Sequence, residues 1–528
     1  MKKLIYIFLT GCVSLFSCTD LSEETYTFIS PENYYNTQED LEKALISVYD
    51  GYQSTFVIYY KYIQQLEVLT EFGSPAYAKD NLQKWNVWSD INNADVMTFQ
   101  NWDDAYKMIN KVNVVLGRCE SIDMNNDLKN RYFAEARFLR AACYFNLVRL
   151  FGGLPIPKTY TSGMHNLEVK RSSVEDTYKY IVEDLKFAIE KLPLKSNYGA
   201  ADVWRTSKGA AQALLGDVYL TMGDMLEDDA YYANAKEQLL AVINSGEYQL
   251  EADFKDLWHW WNITNKNGKE SVFEVQFGNY GKEYNNLHTM FGVNITEFTL
   301  GCYMYRRFGP SLQHYLSYDS KDARKEATFL TEFNQTEKGN PSNVQAVLKF
   351  EPADIGYYPG TNNWKTASPG NLKYYDRTEE SATNKKPRAN FYVIRYADVL
   401  LNYAEVENHI NAASADAYEK LNMVRERAGL EQVKSGLSEE EFADAIYAER
   451  GFELVGEAQL YYDELRTDRI GKNVKDHIAW SMSQKNDKNE GVYMYTPLEY
   501  LPNKTFLFKI PQYDLDSNKA LIQNPDNK

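Results

Sequence analysis

The clearest periodic signal in the chain lies at 128–151, where Ala134, Phe138, Ala141, Phe145 and Val148 recur at steps of four and three. That spacing lines them along one face of a helix. Gly152-Gly153 ends the pattern, and Leu-Pro-Ile-Pro continues as an extended segment. The same periodicity predicts helices at 38–55, on Leu41, Ala44, Leu45 and Val48, and at 101–119, on Trp102, Ala105, Tyr106 and Ile109. The step from Trp102 to Tyr106 and Ile109 places Trp102 in the core. Ser173 reads as the cap of a helix over 173–192 that Pro193 closes. Lys208–Met222 gathers Ala211, Leu214, Leu215 and Val218 on one face, and Tyr232–Ile243 follows with Ala235 and Leu239.

Leu215-Gly216-x-x-Tyr219 resembles the first helix of a tetratricopeptide repeat, where the Gly lets two helices approach closely. Tyr232–Ile243 is then the second helix of that pair. Comparable pairs are expected near 128–192 and 395–428. Their spacing is irregular, so the repeats are degenerate. Residues 56–100 read as irregular, rich in aromatics and Asn. Over 245–390 helical periodicity fades, Gly, Asn, Tyr and Trp rise, and Ser271–Phe277 alternates like a strand. Such a span is too long for a linker and reads as an ordered, loop-rich insert that carries function. Strong helices return over 391–467, and the Pro- and Asn-rich tail at 486–528 is expected to wrap the surface.

The N-terminus carries a different signal. Lys2 and Lys3 precede an apolar run from Leu4 to Phe16, too short for a membrane span with normal flanks, which reads as an export signal. It ends in Leu15-Phe16-Ser17-Cys18, which resembles a bacterial lipobox with Cys18 as the lipid-bearing residue. Several acyl chains on one Cys bury enough methylene to hold a protein on a membrane. The plainer alternative is a secretory signal with an incidental Cys. Four parts follow: a signal peptide at 1–17, a helical region at 18–244, the insert at 245–390, and C-terminal helices with a tail at 391–528 packed on the N-terminal region.

Composition narrows the function. The net charge of -17 repels phosphate backbones, and no basic run offsets it, so nucleic acid is not an expected partner. Mean hydropathy is -0.54, against a multi-span membrane protein. After Cys12 and Cys18, the remaining Cys119, Cys143 and Cys302 form no disulfide framework or CxxC metal spacing, and Cys143 on its apolar stripe reads as an inert buried thiol. The 6 His make no close ligand pair. There is no GxSxG elbow and no phosphate-binding Gly loop. No cofactor is expected. Glu449, Glu453 and Glu457 lie on one helix face, where a structural ladder paired with Arg450 and other basic residues is favoured over acid–base work.

Three separated stretches resemble the SusD/RagB family. The first is Ala134-Glu135-Ala136-Arg137-Phe138-Leu139-Arg140-Ala141, continuing through Tyr144-Phe145 to Phe151-Gly152-Gly153-Leu154-Pro155. The second is Glu449-Arg450-x-x-Glu453-Leu454-x-x-Glu457 with Asp463 and Arg466, where Ala458, Leu460 and Glu464 depart from the family pattern. The third is Phe508-Lys509-Ile510-Pro511-Gln512, followed by Asn518 and Leu521-Ile522-Gln523-Asn524-Pro525. The resemblance implies a mainly α fold with several TPR-like helix pairs and a less regular insert with short strands. It also implies a surface lipoprotein of the outer membrane that binds oligosaccharide or polysaccharide, passes it to a SusC-like TonB-dependent transporter, and performs no catalysis.

Sugar rings lie on flat aromatic side chains, while their hydroxyls need Asp, Asn, Arg or Lys at the edges. One irregular stretch offers Tyr77, Asp80, Asn81, Trp85, Asn86, Trp88 and Asp90. The insert offers Tyr280, Tyr284, Asn285, Tyr303, Tyr305 and Arg306, with Tyr357, Tyr358 and Trp364 further on. Each of these aromatics alternatively packs under a loop. Trp258, Trp260 and Trp261 read as packing residues. A peptide-capturing RagB-like protein and a surface glycoside hydrolase are the competing readings, the latter needing two carboxylates facing across a sugar.

Overall fold

The computed structural model describes residues 34–55, 61–75, 96–161, 168–259, 261–278, 285, 287–288, 308–337, 340–349, 370–376, 387–483 and 506–524. Thr37 caps α1 (Gln38–Gln53) in a reciprocal box with Asp40, so each satisfies a backbone N–H of the other. Then come α2 (Lys61–Val68), the short β1 (Gly73–Pro75), α3 (Val96–Arg118) and α4 (Asn126–Phe151). Helix α2 falls in the stretch expected to be irregular. Its buried Tyr62, Ile63 and Leu66 carry the helical spacing, over too few turns to stand out beside the aromatic-rich residues around it. Trp102 is buried against Phe151, as its spacing requires.

Helix α4 stops where Gly152 takes φ +73°, and a Cβ on Gly153 would collide with the Ser172 carbonyl. The chain turns back as α5 (Val174–Lys191), capped by Ser173, and packs along α4. Arg140 of α4 crosses to Asp184 of α5 through bonds of 2.8 and 2.9 Å. Next come α6 (Lys208–Leu226) and α7 (Ala230–Ile243). A Cβ on Gly216 would lie 2.7 Å from the Leu239 side chain, so the small residue permits the close approach read from the sequence. Cys143 and Cys119 are both buried.

In the less regular region, β2 (Ser271–Val275) opens a set of short strands: β3 (Phe308–Pro310), then α8 (Leu312–Ser317) and α9 (Ala323–Thr328), then β4 (Phe329–Leu330), β5 (Glu332–Glu337), β6 (Asn340–Lys349), β7 (Gly370–Asn371) and β8 (Phe391–Arg395). The strands form antiparallel pairs β1–β3, β2–β8, β4–β7 and β5–β6. Strand β2 is paired from Ser271 opposite Arg395 to Val275 opposite Phe391. The chain then returns to helices: α10 (Tyr396–Asn411), α11 (Ala415–Arg427), α12 (Glu439–Leu454), α13 (Leu460–Arg466), α14 (Ile470–Ser483) and the short α15 (Gln512–Ser517). The α10–α11 pair matches the helix pair expected near 395–428.

The separated stretches that carry the family resemblance meet in space. The Phe508 N–H donates to Leu150 O at 2.7 Å, and Asn524 Nδ2 donates to Phe151 O at 3.0 Å. Arg171 adds a bond to Ile522 O at 2.9 Å. Phe508 also packs between Phe151 and Tyr461. The tail therefore clamps the end of α4, using carbonyls that the helix terminus leaves without intrahelical partners.

Candidate functional site

Two of the small strand pairs build one corner of the molecule. Ser74 of β1 lies opposite Gly309 of β3, and Pro75 opposite Phe308. The bond from Ser311 N–H to Phe72 O, 2.7 Å, extends this pairing. Strand β7 lies beside β3 and pairs with β4, Leu330 opposite Gly370. Pro75, Phe308 and Gly370 are where the described chain meets segments 76–95, 289–307 and 350–369. The ends of three aromatic-rich segments thus come from a single paired backbone unit.

Helix α12 holds this corner. Its Gly451 leaves room for the Phe72 ring just before β1. Its carboxylates, and Glu457 in the turn just past it, bind the elements around the strands. Arg324, at the start of α9, donates to Glu449 at 2.6 Å and Glu453 at 3.1 Å, with two further bonds to Asp322. Lys373, just after β7, donates to Glu457 at 2.7 Å. Arg395, the last residue of β8, reaches Glu270, Glu453 and Glu457. Arg425 and Arg427 of α11 complete the set on Glu449 and Glu453. Burial alone would raise the Glu453 carboxyl, but the Arg427, Arg395 and Arg324 guanidiniums override it and hold it well below the usual range. The glutamates are ion-paired, as read from the sequence, but they do not share one helix face: α12 ends at Leu454, Glu457 lies in the turn beyond it, and the partners differ. Arg450 turns to Asp398 at 2.9 Å and Asp463 at 2.7 Å, because it projects from another face of α12.

The histidines here are packing groups. Burial pushes His314 down to about 3 and His288 down to about 4, so both are neutral near pH 7. Among the described residues, no group of three His, Cys, Asp or Glu is placed to hold a metal ion. Among them, too, no helix is long and apolar enough to cross a membrane.

The residues singled out for sugar contact, Tyr77, Asp80, Asn81, Trp85, Asn86, Trp88, Asp90, Tyr280, Tyr284, Tyr303, Tyr305, Arg306, Tyr357, Tyr358 and Trp364, lie outside the described residues, as do Cys18 and Trp260. Asn285 is described and is not a contact residue. It is fully buried, bonding Ala389 O and the Leu287 N–H through its side chain. Trp258 packs among Phe254, Tyr374 and Tyr392 as expected. Trp261 does not pack away: it is 39% exposed, because the turn after Trp258 carries it outward. Sequence reasoning missed Asp322, Arg324, Lys373, Arg395 and Arg427, which no common spacing connects to the ladder.

Comparison with known proteins agrees with this architecture. The model of the SusD family matches residues 269–526, and a model described as starch-binding associating with outer membrane matches 20–220. SusD-like protein P2 of Formosa agariphila is 28% identical over 498 residues, covering 90% of this chain and 92% of that protein. The crystal structure of a SusD homolog from Bacteroides thetaiotaomicron superposes with a TM-score of 0.79 at 25% identity, covering 96% of this chain and all of that one (100%). A laminarin-binding SusD-like protein shares the fold at a TM-score of 0.67 and 24% identity, covering 93% and 100% of the two chains. With both ends matched by family models and the helical frame shared, the chain belongs to the SusD family.

Proposed function

We propose that this protein is a surface lipoprotein of the outer membrane, anchored through Cys18, that captures oligosaccharide or polysaccharide. It delivers the glycan to a SusC-like TonB-dependent transporter and cleaves no bond itself. The observation that carries the reading is the corner where β1, β3 and β7 meet. There the chain enters or leaves three segments bearing Trp85 and Trp88, Tyr303 with Tyr305 and Arg306, and Trp364. Aromatic faces beside Asp, Asn and Arg edges are the parts that neutral sugars need. The same fold in another protein binds laminarin. The ion-paired Glu449 and Glu453 of α12 and Glu457 just past it have no free carboxylate to offer as an acid or base.

The test is affinity electrophoresis of the protein lacking residues 1–18, in gels containing plant, microbial or host polysaccharides, laminarin among them. Retardation by one polysaccharide, lost in Trp85→Ala or Trp88→Ala with folding intact, is the expected result. Retardation by none would move the reading to peptide capture, and release of shorter sugars would move it to hydrolysis. Cys18→Ala should shift the full chain from the membrane pellet to the soluble fraction.

A further inference from the structure

Away from that corner, a concave site lies between α1, the turn leading into α6, and β2. It is a pit of about 170 Å³. Tyr52, Phe273 and Val275 line it, all buried. Trp204 and Tyr49 line it too, their rings edge-on at 5.1 Å. Neither ring is free to swing away. Trp204 Nε1 donates to Ala201 O at 2.7 Å, and the Arg205 guanidinium lies 4.6 Å from the indole centre. The Tyr49 hydroxyl is fixed by Glu135 at 2.9 Å and by the Thr206 N–H at 3.1 Å. The lining also includes Asp50, about half exposed and paired with Lys111 at 3.4 Å, the buried Gln53, whose Nε2 donates to Gln276 O, and Ile46, which is 45% exposed.

We infer that this pit binds one pyranose ring of a neutral glycan, with the Trp204 and Ile46 side chains against the sugar C–H groups and Asp50 and Gln53 on its hydroxyls. The inference rests on the glycan-binding reading and adds to it a contact site made by other elements than the loop corner. Size and chemistry both favour this occupant. At about 30 Å³ per water, the pit exchanges a handful of waters, well short of the roughly 300–1,000 Å³ of pockets for larger ligands. A lining that holds both Asp50 and Glu274 disfavours an anion, as does the net charge of -17. A rigid aromatic wall with a few polar groups nearby is the pattern of a preorganised small-ligand site. A protein segment would need a longer apolar trough than this lining provides.

The experiment is ¹⁹F NMR of the protein lacking residues 1–18, labelled with 5-fluorotryptophan and titrated with glucose, galactose, mannose, xylose and laminarin oligosaccharides. Every described residue lies beyond that truncation. Trp204→Phe assigns the Trp204 resonance, and Trp85→Phe and Trp88→Phe assign the two loop reporters. The expected result is a saturable shift of the Trp204 resonance with at least one sugar. Asp50→Ala should weaken it about tenfold, the scale of a lost hydrogen bond to a charged group. The core Trp102 signal should stay in place, as a check on folding. A Trp204 resonance unmoved by every sugar overturns the inference. If Trp85 or Trp88 responds while Trp204 does not, glycan binding stands and the pit is not a site. If none responds, both readings fall together for these sugars.

Discussion

Arg395 at the end of β8 donates from Nη1 to Glu453 Oε1 of α12 at 2.8 Å, and both side chains are sealed from solvent. Two charges have been taken out of water, and each depends on the other and on its remaining partners. Replacing one partner strands the rest. Glu453→Ala should destabilise the protein by about 3–5 kcal/mol in urea unfolding, the range for breaking a buried ion pair from one side. Glu440→Ala, an exposed carboxyl in the first turn of the same helix, serves as the control. A change of similar size in both variants would mean that the network contributes no more than a surface charge.

The departure from the family pattern at Glu464 gives a pH prediction. Glu464 is buried, and burial and the neighbouring Glu71 push its carboxyl well above the usual range. Tyr447 and Asn473 already donate to Glu71. Burial likewise raises Glu67 to about 7, despite N–H bonds from Ala458 and Gly456. An acid raised on folding stabilises fully below its unfolded value near 4.5 and loses that contribution as pH climbs through the folded value. For Glu67 the loss between pH 4.5 and 7 is roughly 3 kcal/mol, at about 1.4 kcal/mol per pH unit. Thermal unfolding should therefore show Glu464→Gln and Glu67→Gln gaining on the parent protein as pH rises from 5 to 8. Parallel Tm profiles would assign the titration to other groups.

Glu405 sets the acid limb. Burial favours its neutral form, but Arg466, bonded to both its oxygens at 2.6 Å, wins and holds it at about 2. A depressed carboxyl stabilises above about 4.5 and loses that contribution as pH falls toward 2. Glu405→Gln should flatten the fall in Tm between pH 4.5 and 2 while lowering Tm at pH 7. An acid limb as steep as the parent's would place the responsible carboxylate elsewhere.

Gly216 tests the helix pair. Gly216→Val forces atoms into the Leu239 side chain and should cost about 1–3 kcal/mol, the range for overpacking. Leu239→Ala in the same molecule opens the space, so the double variant should lose less than the sum of the two single losses. Simple additivity in urea unfolding would mean that the two residues do not meet.

The tail clamp is the last target. Phe508 is buried between Phe151 and Tyr461, so Phe508→Ala should cost about 3–5 kcal/mol. Asn524→Ala removes bonds to Phe151 O and Phe508 O and should cost about 1–3 kcal/mol. Wild-type stability in a chain cut before residue 506 would show that the tail only rests on the surface.

Much of the fold was legible from residue spacing. A helix buries residues three and four apart, so the faces of α1, α3, α4, α5, α6 and α7 are written within single stretches of chain. Caps are equally local, as Ser173 shows. Gly216 announced a close helix contact because only a missing side chain allows one. Helix α2 escaped for the opposite reason: two turns carry too little pattern. The candidate aromatic segments were readable as composition, but their common origin was not. That came from β1 pairing with β3, which lies more than 230 positions away.

The sequence by itself determined the helical frame, the glycine contacts and the stretches that mark the family, since each depends on neighbours a few residues apart. Only the tertiary structure decided which charges meet. Glu453 finds Arg324, Arg395 and Arg427 from three elements, Arg450 turns to Asp398 and Asp463 instead, and Glu464 is left beside Glu71. With 57 basic and 74 acidic residues in the chain, spacing along it does not choose among them. Burial does, because a charge withdrawn from water must find its partner wherever packing has put one.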